Sequence, residues 1–152
     1  MQESQGPILP PLKSVQFRLD YIHAEKLPIP HSPSQPVNMM FNLNILNTNV
    51  ALQDSLVEIP FVVNISSMPS IISITLKGAL VLQFEHKNDA EEIVKNMNEG
   101  KVPDAINMII MQYIIFEVSL IMRELGMPPM IPIPQVQAPQ KPGDKSTEIH
   151  YV

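Results

Sequence analysis

Residues 104–125, DAINMIIMQYIIFEVSLIMREL, constrain this chain more than any other stretch. Pro103 before it, Asp104 in its first turn, and Gly126, Pro128 and Pro129 after it are the start and stop signals of one long helix. At about 100° per residue, Asp104, Gln112, Ser119 and Arg123 share one narrow sector and Glu117 and Glu124 a second. Met108, Ile109, Ile110, Met111, Ile114, Ile115, Phe116, Val118, Leu120 and Ile121 cover the rest of the circumference. A helix apolar nearly all round belongs inside a large core, inside a subunit interface or in a membrane. A membrane span asks for roughly 20 mostly apolar residues with few or no charges, and Asn107, Gln112, Glu117 and Arg123 interrupt this one from inside. Stable membrane insertion is therefore not expected.

The remaining choice is between core and interface. A chain of 152 residues suggests one domain able to bury a sizeable core. With 45% hydrophobic residues but only 5% aromatics, and with 10 methionines, that core and any exposed apolar surface would be soft and adaptable. A net charge of −5 without a basic stripe argues against nucleic acid. The absence of cysteine excludes disulfides and thiolate metal sites and is compatible with a reducing compartment. The segment MQESQGPILPPLK has no basic start followed by an apolar run, so a cytoplasmic location is the expectation.

Residues 1–13, with Gly6, Pro7, Pro10 and Pro11, have no periodicity and are expected to form an arm. From Val15 the pattern alternates, with Val15, Phe17, Leu19 and Tyr21 on one face of a half-buried strand. LPIPHSPSQP then carries Pro28, Pro30, Pro33 and Pro36, too many for a helix or a central strand, and reads as an extended crossover. A second strand follows with Met39, Phe41, Leu43 and Ile45 inward and Asn38, Asn42 and Asn44 outward, and Asn47–Asp54 supplies a turn. The third strand holds Val57, Ile59, Phe61, Val63 and Ile65, with Pro60 suggesting an edge or a bulge. The fourth holds Ile72, Ile74, Leu76, Leu80, Leu82 and Phe84, interrupted by Gly78, which suggests a bulge or a close backbone approach. Asn88 with Glu91 resembles a capping box opening a short helix through Met97 that Gly100 ends. Beyond the long helix, GMPPMIPIPQVQAPQKPG is too proline-rich for a regular element, although Met127, Met130, Ile131 and Ile133 make its first half apolar. The remainder, ending DKSTEIHYV, is polar and expected to be a tail.

Four successive strands followed by a short and a long helix predict an α+β domain with a four-stranded antiparallel sheet over residues 14–134, flanked by the arm at 1–13 and a tail at 135–152. Such a sheet covers only one side of the long helix, so self-association is expected through its other side, with Ile110, Ile114, Glu117 and Ile121 as the candidate interface residues.

Chemistry is sparse. Five glycines, at 6, 78, 100, 126 and 143, leave no phosphate-cradling loop of either common spacing. His23, His31, His86 and His150 lie far apart and none sits at metal-ligand spacing from another or from a carboxylate. Ser119 has no glycine-flanked elbow around it. Glu117, the carboxylate inside the apolar run, shares a sector with Glu124, which favours a solvated or paired side chain over a reactive one. No enzyme activity, catalytic residue, metal or cofactor is expected.

The order of parts, with the proline-bearing crossover LPIPHSPSQP, the pair Lys77–Gly78 in the fourth strand, and VPDAINMIIMQYIIFEVSLIMRELGMPPMIPIPQV, resembles the SecB family of export chaperones over roughly residues 14–136. The resemblance implies a dimer paired through edge strands of its sheets and a dimer of dimers packed through the long helices. It also implies an ATP-independent holdase whose partners are unfolded or precursor polypeptides, held in apolar surface grooves. In the family the crossover and the segment after the long helix wall the groove, which makes Leu27, Ile29, Met127, Met130, Ile131 and Ile133 the client-binding candidates. The acidic residues that dock the SecA motor in better-known members match Lys26, Pro30 and Ser73 here, so docking to such a motor is not expected. The family's second helix after the apolar loop has no counterpart from Gln135 onward.

Three alternatives stand beside this reading. SecB-like chaperones of toxin–antitoxin systems serve one dedicated client. A non-catalytic oligomeric binder of lipid or another apolar small molecule would need an enclosed pocket. A hot-dog thioesterase also wraps a sheet around a long helix, but there the helix comes early in the chain.

Overall fold

The computed structural model describes residues 8–30 and 37–127. Five strands run β1 (Leu12–Lys26), β2 (Asn38–Ile45), β3 (Ala51–Gln53), β4 (Leu56–Met68) and β5 (Ile72–Phe84), followed by α1 (Lys87–Asn98) and α2 (Asp104–Glu124). The sheet is antiparallel with order β1-β5-β4-β2, and short β3 pairs with β4 beside β2. The α+β class and four main strands are those the alternation predicts. The added strand β3 and a single 3₁₀ turn at Asn47–Asn49 occupy the stretch expected to be turn alone.

Both faces follow from the period of two. Val57, Ile59, Phe61, Val63 and Ile65 of β4 and Ile72, Ile74, Leu76, Leu80, Leu82 and Phe84 of β5 are buried in one core with Ala90, Ile93 and Met97 of α1 and the inner ridge of α2. The opposite face carries amides, hydroxyls and ions: Asn42 stands opposite Asn64, and the Thr75 hydroxyl donates to Asn64 Oδ1 at 3.0 Å. On this face Arg18 bridges Asp20 (2.8 Å) and Glu58 (2.7 Å), and these partners raise the guanidinium's pKa further. Exposed as it is, such a cluster adds little stability.

Three local signals resolve in instructive ways. Gly78 is a close approach: a Cβ there would strike the Arg18 carbonyl and lie 3.1 Å from Leu19 Cα. At that point the pairing of β1 with β5 shifts register between Leu19 and Tyr21. The shift reverses the side-chain alternation, so Tyr21 faces the open side opposite Lys77, whose ammonium sits 4.9 Å from its ring, and Ile22 takes the inward register opposite Leu76. The expected placing of Tyr21 with Val15, Phe17 and Leu19 is thereby corrected.

Pro60 is on neither an edge strand nor a bulge of its own. Its carbonyl accepts from Leu46 N at 2.9 Å, so its missing N–H points the same way, at the break where β2 ends opposite Phe61 and β3 starts opposite Glu58. Nothing there requires a donor.

The capping box of α1 does not form; His86 is the N-cap and no side chain caps the end. Both helices do stop as expected. Gly126, at φ +72°, donates to Arg123 O and Met127 N to Met122 O, a paired closure that needs a left-handed residue; α1 closes the same way, with Gly100 N donating to Met97 O and Lys101 N to Asn96 O. The β4–β5 turn is held by Ser67, buried, whose hydroxyl donates to Pro69 O (2.7 Å) and accepts from Ile71 N (2.9 Å) and Ile72 N (3.0 Å).

Candidate interaction surface

Helix α2 divides itself between inside and outside along two ridges. Ile106, Ile110, Ile114, Val118 and Met122, spaced four apart, are buried on the sheet. Two residues out of phase, close to half a turn round, Met108, Gln112, Phe116 and Leu120 form the outward ridge, with Met108 and Phe116 each 62% exposed. Rows of this i±4 kind are what a second helix or an extended chain packs against. By length and composition α2 could cross a membrane, but its inner ridge is committed to the chain's own core.

This placement corrects part of the expected interface. Ile110 and Ile114 are 0% exposed in the single chain and have no surface left to offer a second one. Glu117 and Ile121 are half-buried on the flank of the ridge. The periodicity showed that both sides of α2 are apolar, but not which side the sheet takes.

Beside the outward ridge lies an open concavity of about 440 Å³ between β1 and α2, lined by Val15, Ile109, Gln112, Tyr113 and Phe116. Tyr113 of this lining heads an aromatic stack: it lies on Phe17 at 4.8 Å and 5°, and Phe17 on buried Phe61 at 5.3 Å and 19°. The lining is uncharged, with the Gln112 amide and the Tyr113 hydroxyl as its polar side-chain groups. It abuts β1, whose outer edge no described strand pairs. The sequence reading did not find this groove, because it depends on β1 and α2, about 95 residues apart in sequence, meeting at Phe17 and Tyr113.

Of the expected client-binding residues, Leu27 and Ile29 lie at the other end of β1. Leu27 is half-buried and bonds through N to Ile71 O at 2.6 Å; Ile29 N bonds to Leu27 O at 2.8 Å, and Ile29 is 46% exposed. Met127 packs against the core below the end of α2. Met130, Ile131 and Ile133 lie outside the described residues. At the same end of the sheet, on its polar face, Met40 and Met68 are exposed. Among the described residues no cluster of His, Asp and Glu could hold a metal.

No protein-family model and no curated protein matches this chain. Seven solved chains match in structure. One is the Mycobacterium tuberculosis Rv1957 SecB-like chaperone in complex with a ChAD peptide from the Rv1956 HigA1 antitoxin, at TM-score 0.55 and 14% identity over 77% of this chain and 88% of that chain. At that identity the likeness reports architecture, and the architecture of this chain is the SecB-like fold.

Proposed function

We propose that this protein is an ATP-independent holdase that binds apolar segments of unfolded polypeptide. The observation that carries the reading is the combination of a SecB-like fold with large apolar side chains left in solvent at two places, the crossover end of the sheet and the outward side of α2. The crossover end, with Leu27 and Ile29, is the client surface, and the apolar residues after Met127 are proposed to contribute to it; flexible methionines suit varied partners. The outward ridge of α2 and the β1 edge are the surfaces of self-association, toward a dimer of dimers in the cytoplasm.

Between export and a dedicated client, two observations favour the latter. The similar structure holds an antitoxin peptide, and at the positions matched to motor docking Lys26 and Pro30 are exposed and Ser73 half-buried, without an acidic group among them. The lipid-binder reading gains no support from a concavity that is open rather than enclosed.

The test is suppression of a denatured protein's aggregation without nucleotide, by the parent chain and by Ile29→Ser. The variant is expected to lose most of the suppression with mass and melting temperature unchanged. Equal suppression by both chains places the client elsewhere, and none by the parent ends the holdase reading. Suppression confined to one client among several unrelated ones supports the dedicated form.

A further inference from the structure

The 10 methionines and no cysteines of this chain make thioethers its only oxidisable sulfur. The structure sorts them sharply. Met97 and Met122 are 0% and 1% exposed, Met108 on the outward ridge of α2 is 62% exposed, and Met40 and Met68 are 49% and 60% exposed. Met40 and Met68 lie on adjacent strands: Asn38 pairs with Met68 and Met40 with Ser66, which places Met40 and Met68 as diagonal neighbours on one face. Around the pair that face is polar, with the Asn38 amide and the Ser66 hydroxyl directly across from them. A buried sulfoxide would put an unpartnered polar oxygen in the core. A sulfoxide at Met40 or Met68 would meet water and hydrogen-bond donors, so the sheet tolerates it.

We propose that Met40 and Met68 form a site of reversible oxidation by peroxide, whose sulfoxides weaken the hold on apolar clients while the fold persists. In each step the thioether sulfur attacks one peroxide oxygen, the O–O bond breaks, the sulfur is oxidised to the sulfoxide and the peroxide is reduced to water. Thiol-dependent methionine sulfoxide reductases return the thioether. The functional consequence rests on the holdase reading. Met68 ends β4 directly before the turn whose Ile71 carbonyl holds Leu27 of the crossover, so the pair extends the client surface onto the open face.

The full chain is treated with hydrogen peroxide and the sulfoxides are mapped by peptide mass spectrometry, alongside aggregation suppression and melting temperature. Met40 and Met68, together with exposed Met108, are expected to oxidise well before Met97 and Met122, with client affinity falling roughly fivefold, the equivalent of about 1 kcal/mol, and the melting temperature nearly unchanged. Reductase treatment restores affinity. The double variant Met40→Leu/Met68→Leu keeps its affinity after peroxide. Oxidation of Met97 as fast as Met40 overturns the site. Undiminished suppression by the oxidised parent, or an equal loss by the oxidised double variant, overturns its consequence. A parent chain that suppresses nothing before treatment overturns the holdase reading and the consequence together, while the order of oxidation still decides the site.

Discussion

Placing Asp at Ile114 and at Phe116, two positions apart on one helix, should break two different things. Ile114 is 0% exposed on the inner ridge of α2. Truncating such a side chain costs about 2–5 kcal/mol, and a carboxyl stranded there adds several more unless it takes up a proton. That sum rivals the whole stability of a typical domain, about 5–15 kcal/mol, so Ile114→Asp should yield unfolded or aggregated chain. Phe116 is 62% exposed. Of the roughly 200 Å² a phenylalanine can bury, about 120 Å² is then still available to a second chain, which at about 25 cal/mol per Å² amounts to about 3 kcal/mol per protomer. Phe116→Asp should leave the melting temperature of the single chain within a few degrees of the parent and shift the mass in light scattering to a smaller species at micromolar concentration. Size-exclusion chromatography with light scattering, paired with thermal denaturation by circular dichroism, reads both outcomes. The reasoning fails if Ile114→Asp is folded and merely dissociated, if Phe116→Asp unfolds, or if the parent is itself a monomer.

Two further substitutions probe the sheet. Gly78→Ala drives a methyl into the Arg18 carbonyl, which is backbone and cannot rotate away; a loss of about 1–3 kcal/mol or more is expected in urea denaturation, and an unchanged midpoint would show that β1 moves freely. Ser67→Ala leaves the Ile71 and Ile72 amides without the hydroxyl they donate to, a loss of about 2–6 kcal/mol at about 1–3 per stranded group, whereas a loss under about 0.5 kcal/mol would mean the turn relaxes to satisfy them otherwise.

The fold was legible because its signals are local. Alternation along Val57–Ile65 and Ile72–Phe84, the glycines that close both helices, and the apolar girth of residues 104–125 each act within a few residues. Where the reading went astray, a distant partner decided the outcome. The face of Tyr21 depends on how β1 passes Gly78, some 57 positions later, and Pro60's tolerance on the break between β2 and β3. Asn88 and Glu91 have the types for a capping box, but the helix begins two residues too early to use them, with His86 at the N-cap. The same holds for the surface: the exposure of Ile29 was legible from prolines that keep it out of the sheet, whereas the stack of Phe61, Phe17 and Tyr113 joins three elements that no pattern in one of them announces.

The interruption opposite Pro60 also bears on how such a sheet avoids polymerising. An endless ribbon would require the β1 edge of each copy to pair with the β2 edge of the next, head to tail, and that demands a continuous template on both sides. The β2 side is the shorter: its ladder runs for eight residues, stops at Ile45, swings out through Asn47–Asn49, and resumes for only three residues. A chain that leaves this much apolar surface in water thus has one edge interrupted after eight residues and the longer template in the fifteen residues of β1, where two copies paired about a two-fold axis would stop.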